Sequence, residues 1–119
     1  MRKFVVILTI LGLLGCATNL LLRVSNENRQ KLHKLYVGMS EEDALRTMGT
    51  ETVSSNLMSV NNPFRIQKMS FGHRNLQVIY YVTEVAMDDN VVDDNELTPL
   101  VFEDKELIGW GWEYLNNIK

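Results

Sequence analysis

The sequence predicts an α+β fold, with two short N-terminal helices packed on an antiparallel β-meander of three or four strands. Three observations point there. A polar, helix-tolerant stretch at 25–34 carries a short apolar edge (Leu32, Leu35, Tyr36), and a second helix signal follows at 40–49. Two stretches rich in Val, Ile, Tyr and Phe, 64–71 and 76–85, flank the turn-forming Gly72-His73-Arg74-Asn75. Two more extended stretches, 97–102 and 107–115, follow an acidic loop. Helices first and strands afterwards is the order of an α+β domain rather than of alternating βαβ units.

Ahead of the first helix the chain opens with Arg2 and Lys3, runs apolar through 4–14, and reaches Gly15-Cys16. A charged start, an apolar run and a small residue at the cut mark a secretory leader. Cys16 is the only cysteine. Its place just past the cut resembles the lipobox of bacterial lipoproteins, in which the cysteine is acylated and becomes the first mature residue. The expected organisation is a leader at 1–15 cut after Gly15, an acylated tether at 16–25 and one domain at 26–119. Two other uses of this segment compete. One is an uncleaved membrane anchor over 4–24, long enough to span, though Gly12, Gly15, Thr18 and Asn19 interrupt it. The other is an ordinary buried cysteine.

With one cysteine there is no internal disulfide, so the core alone must hold the domain. The chain carries −3, and the leader holds two of its cations and no acid, so the remainder carries −5. An acidic domain has no basic stripe for phosphate backbones, which disfavours nucleic acid as a partner. Membrane attachment is expected through acyl chains rather than through a polybasic patch. Leu20-Leu21-Leu22 is unusual in a tether. It either lies at the lipid interface or begins a helix that runs on through Ser25.

The strongest local signal is the string from Leu35 to Gly49. Gly38 allows a sharp turn between helices. Ser40 is a good N-cap, with Asp43 three residues on, and Met39 and Ala44 stand at the staple positions. Glu41, Glu42 and Asp43 suit the positive end of the helix dipole. Ala44, Leu45 and Met48 form the buried stripe, and Gly49 stops the helix. The string Leu-x-x-Gly-Met-Ser followed by a hydrophobic-Gly step is similar to the signature of the SmpA/OmlA (BamE-like) lipoprotein domains. Leu35, Gly38, Met39, Ser40, Leu45, Met48 and Gly49 match it, whereas the proline expected after Gly49 is absent. The C-terminal segments Leu-Thr-Pro-Leu-Val-Phe (97–102) and Gly-Trp-Gly-Trp (109–112) resemble a narrower group of gammaproteobacterial lipoproteins. The resemblance implies a BamE/β-lactamase-inhibitor-like fold. It also implies an address on the periplasmic side of the outer membrane, because Ala17 lacks the acidic residue that retains lipoproteins at the inner membrane. An inner-membrane anchor is the alternative address.

Beyond the hairpin of 64–71 and 76–85, residues 51–63 are expected as loop and Pro99 at a strand start or edge. In the last strand, Ile108, Trp110, Trp112 and Tyr114 alternate with Gly109 and Gly111. This row either packs beneath the helices or, with Trp110 and Trp112 as anchors, forms a partner-binding face. Tyr81 falls on the side opposite Val78, Tyr80 and Val82 and is a further candidate for that face. Asp88, Asp89, Asp93, Asp94 and Glu96 read as a solvated acidic loop, since they lack the ligand spacing of a calcium loop. His33 and His73 have no ligand or triad partners at recognisable spacing, and no phosphate loop or zinc motif occurs. No cofactor, metal or catalytic set is therefore expected. The expected role is a lipid-anchored periplasmic binding module with an envelope protein partner. By resemblance that partner is the β-barrel assembly machine. Inhibition of a periplasmic or secreted enzyme, or a structural envelope role, are the alternatives.

Overall fold

The structure is a computed structural model that describes residues 20–86 and 91–118. The expected leader, its cut at Gly15 and the acylation candidate Cys16 lie outside the described residues, as do Asp88 and Asp89. The first helix, α1, spans Leu20–Leu32 and so begins inside the stretch expected as tether. Leu20, Leu21 and Val24 are buried on it, followed one turn later by Asn28. That spacing is a helical stripe facing a core, and it settles Leu20 to Leu22 as helix. Helix α1 tightens at its end through backbone bonds from His33 to Gln30 and from Leu35 to Leu32.

The second helix, α2, spans Glu41–Met48. Its cap is as the residues imply. The Ser40 hydroxyl accepts the Asp43 N–H at 3.0 Å, and the Gly49 N–H closes on the Leu45 carbonyl at 2.7 Å. Gly49 has φ 96 and ψ 154, a positive-φ stop that is extended rather than left-handed helical. The Asp43 carboxylate does not return to Ser40 but accepts Arg46 at 2.7 Å. Residues 51–63 contain a small hairpin, β1 (Val53–Ser54) paired with β2 (Ser59–Val60). Strands this short in a Ser- and Asn-rich run give almost no sequence signal.

Four strands follow: β3 (Arg65–Phe71), β4 (Arg74–Val82), β5 (Leu97–Glu103) and β6 (Glu106–Trp110). They form one antiparallel meander in the order β3-β4-β5-β6. The β5–β6 turn uses Asp104 and Lys105, both at positive φ, as a tight two-residue hairpin requires. Strand β4 is buried on both sides from Val78 to Val82, so both faces of the sheet are covered at its centre. One face joins Leu76, Val78, Tyr80 and Val82 to Leu20, Leu21 and Val24 of α1. The other joins Ile79, Tyr81, Leu100, Phe102 and Leu107 to Leu35, Met39, Ala44 and Met48 around α2. Pro99 sits inside β5 rather than at its start. Its carbonyl accepts Gly111 N–H at 2.9 Å, so its ring nitrogen faces the side where β6 has already ended and no ladder bond is lost.

The expected strand 107–115 is only half a strand. After Trp110 the chain turns at Gly111 (φ +97) and forms a third helix, α3 (Trp112–Ile118). Trp112, Leu115 and Ile118 all join the α1 side of the core, at helical spacing. The alternation of Trp110, Trp112 and Tyr114 is compatible with a strand, but Gly111 breaks it and the period of three governs. Gly109 serves this corner. A Cβ there would lie 2.6 Å from the Tyr114 ring. Gly109→Ala should therefore displace Tyr114 and cost about 1–3 kcal/mol by overpacking, read as a lower melting temperature.

Candidate functional site

The residues of the Leu35–Gly49 motif do come together, and their shared task is to close one edge of the sheet. Gly38 N–H donates to the Leu107 carbonyl and Leu107 N–H to the Met39 carbonyl, both at 2.8 Å. Glu41 N–H reaches the Lys105 carbonyl at 2.9 Å, and Ser40 bridges to Glu106. The turn thus acts as a short extra strand on β6, which satisfies edge groups that would otherwise pair with another chain. Gly38 reaches this path at φ +97. Leu35, Met39 and Met48 are buried beside the sheet, and Leu45 is half-buried against them. The far edge, β3, has exposed residues from Arg65 to Lys68 and pairs only with β4 within the sheet.

A polar clamp ties α1 to this arrangement. Asn28 Nδ2 donates to Asn62 Oδ1 at 2.8 Å and to the Val82 carbonyl at 2.9 Å. Arg29 donates twice to the Thr83 carbonyl, at 2.7 and 3.0 Å. Lys31 and Asn62 both reach the Met48 carbonyl.

Tyr81 is not on a partner face. It is fully buried beneath α2, and its hydroxyl donates to the Gly49 carbonyl at 2.7 Å. The residue does point away from Val78, Tyr80 and Val82, but α2 and the turn before it cover that side. Burial raises the phenol above its ordinary value of 10. The folded state therefore holds this proton more tightly than the unfolded chain. The stabilisation is complete below pH 10 and is lost as pH rises beyond it. Tyr81→Phe should cost about 1 kcal/mol at neutral pH and flatten the alkaline loss of stability, measured by urea unfolding across pH.

Trp110 and Trp112 do not form one row either. Trp110 packs with the α2 cluster and Trp112 with the α1 cluster, each partly buried. The Trp112 indole donates to the Leu97 carbonyl at 2.9 Å, and its ring lies 5.7 Å from that of Tyr80. These tryptophans are held by the fold on opposite faces of the sheet, which favours the core reading over a single partner-binding row.

In the acidic loop, Glu96 is wholly buried. Its carboxylate accepts Ala86 N–H at 2.9 Å and Asp93 N–H at 2.8 Å, which pins the two ends of 86–93 together. Asp94 faces Arg65 at 3.3 Å. Glu96 could have been singled out from sequence only by its place directly before the apolar Leu97, a weak signal. Among the described residues no group of His, Cys, Asp or Glu is placed to hold a metal ion. His33 and His73 are exposed and have no side-chain partner among the described residues.

An open groove of about 430 Å³ lies between the outer part of the meander and the start of α2. Lys68, Lys105 and Phe102 line it, with Glu41 held by the Gln77 amide. Exposed apolar side chains stand elsewhere, at Tyr36 and Val37 on the inter-helix turn, Ile66 on β3 and Leu57 at the tip of the β1–β2 hairpin. No helix among the described residues is long and apolar enough to cross a membrane.

Together these features define a small α+β domain in which the turn between the first two helices seals one edge of a four-stranded antiparallel sheet. Residues 22–117 match the family model described as Protein of unknown function (DUF3192), and the chain belongs to that family. No curated protein and no solved structure matches it.

Proposed function

We propose that the chain is a lipid-anchored binding module on the periplasmic side of the outer membrane, held through Cys16 and acting without catalysis. The junction of leader and domain carries this assignment. Arg2-Lys3, the apolar run and Gly15-Cys16 are followed at Leu20 by a helix whose first turn is already in the core. Acylation at Cys16 would seat the domain close to the bilayer and raise its effective concentration near membrane partners. Ala17 supports the outer membrane as the address. The likeness of Leu35 to Gly49 to the SmpA/OmlA motif supports service as an accessory to outer-membrane protein assembly, and the open groove and free β3 edge give such a partner somewhere to dock.

Two experiments bear on it. Cys16→Ser should move the protein from the membrane to the soluble periplasmic fraction. Capture with tagged protein from detergent-solubilised envelopes should recover barrel-assembly components. Capture of a soluble hydrolase instead would transfer the chain to the class of enzyme inhibitors.

A further inference from the structure

The β1–β2 hairpin has properties that the edge-closing and clamping contacts do not use. From Thr52 to Phe64 the chain has thirteen residues without one charge. At its tip Leu57 is 87% exposed, more than any other large apolar side chain described. Three N–H groups of the tip are bonded within it. Ser55 N–H donates to the Met58 carbonyl at 2.8 Å, and the Ser55 hydroxyl accepts the N–H groups of Leu57 and Met58 at 3.3 and 3.4 Å. With these N–H groups bonded and no charge, the tip loses less on leaving bulk water than a charged or wholly unbonded loop would, and its remaining polar groups can stay among the headgroups.

Its direction follows from the packing. Asn62 is fixed to Asn28, midway along α1. Val60 and Met58 then join the core that holds Leu20, Leu21 and Val24, whereas Leu32 at the other end of α1 packs with the opposite cluster. The hairpin therefore runs toward the N-terminal end of α1. Eight helical residues from Asn28 to Leu20 rise about 12 Å, and five extended residues from Asn62 to Leu57 reach about 16 Å. With β2 in contact with α1, an extended hairpin laid along the helix would bring Leu57 level with the start of α1. Cys16 is four Cα–Cα steps from Leu20, at most about 14 Å away.

We propose that the hairpin tip is a second membrane contact, with Leu57 entering the headgroup–acyl boundary of the bilayer that holds the anchor. This rests on the lipid-anchor assignment. The bound lipid is recognised as an apolar surface and not by headgroup charge, because the tip carries none. The acyl chains supply retention, and the hairpin fixes how the domain sits on the bilayer, which presents the β3 edge and the groove in a constant orientation.

The experiment uses the full chain, purified from membranes and reconstituted into phosphatidylethanolamine–phosphatidylglycerol vesicles. Leu57→Cys is labelled with a polarity-sensitive fluorophore, and Ser70→Cys on exposed β3 serves as the control. Emission from position 57 should shift to the blue and be quenched by nitroxide-bearing lipid, while emission from position 70 should not change. Equal, water-like emission from both positions on vesicles that carry the protein would overturn the proposal. So would a blue shift at position 57 that needs an added envelope protein, since the tip would then be a protein-docking wedge. Failure of the lipid-anchor assignment gives a different result, two dyes per chain because Cys16 is also free, whether the protein then floats on a retained apolar segment or is lost from the vesicles.

Discussion

Asn28→Ala should cost about 2–5 kcal/mol of folding stability, since two buried acceptors lose their only strong partner and a small cavity opens. The Asn28 side chain is 1% exposed and bridges Asn62 Oδ1 and the Val82 carbonyl. Water cannot reach either acceptor easily once the amide is gone. Asn28→Leu should be no better, because it fills the space but leaves the same acceptors unpaired. A domain of this size has about 5–15 kcal/mol in total, so the loss is a large share. Chemical denaturation of the soluble Cys16→Ser chain would measure it. Because Asn62 leads into the β1–β2 hairpin, the same substitution should also speed amide exchange at Ser59 and Val60.

Glu96→Ala should be comparably damaging, at about 2–5 kcal/mol, and for the converse reason. Here two backbone N–H groups, of Ala86 and Asp93, lose a charged acceptor. The Glu96 backbone also accepts Thr83 and Glu84 N–H, at 2.9 and 3.1 Å. One residue therefore ties the end of β4, the acidic loop and the start of β5. Glu96→Gln retains one acceptor oxygen but turns an NH₂ toward the other N–H, so it should recover only part of the loss. Thermal melting, with amide exchange at Ala86 and Asp93, would read both variants. A Glu96→Ala protein as stable as the parent would show the clamp to be unimportant.

What could be read from the sequence was mostly local. Ser40, Gly49 and Met39 announce the cap, the stop and the staple of α2 because each acts within a few residues. The hairpin β3–β4 is equally plain from its Val- and Tyr-rich strands around Gly72. The failures depend on distant packing. Leu20 and Leu21 look like neighbours of lipid until their partners across the fold, among them Val82 and Leu115, are known. Tyr81 alternates correctly away from Tyr80, but alternation cannot say that α2 lies on that side. Trp112 and Tyr114 fit a period of two as well as Trp112, Leu115 and Ile118 fit a period of three. Only the positive φ at Gly111 decides between them. The edge-closing role of Gly38 to Ser40 was invisible for the same reason, since its partner Leu107 lies nearly seventy residues away in the chain.

The anchoring residue is the point on which the functional account stands. Intact-mass spectrometry of the protein extracted from membranes addresses it most directly. The account predicts a chain beginning at Cys16, heavier than its sequence by acyl groups and unreactive to thiol reagents. A full chain that begins at Met1 with a free thiol at Cys16 would contradict it.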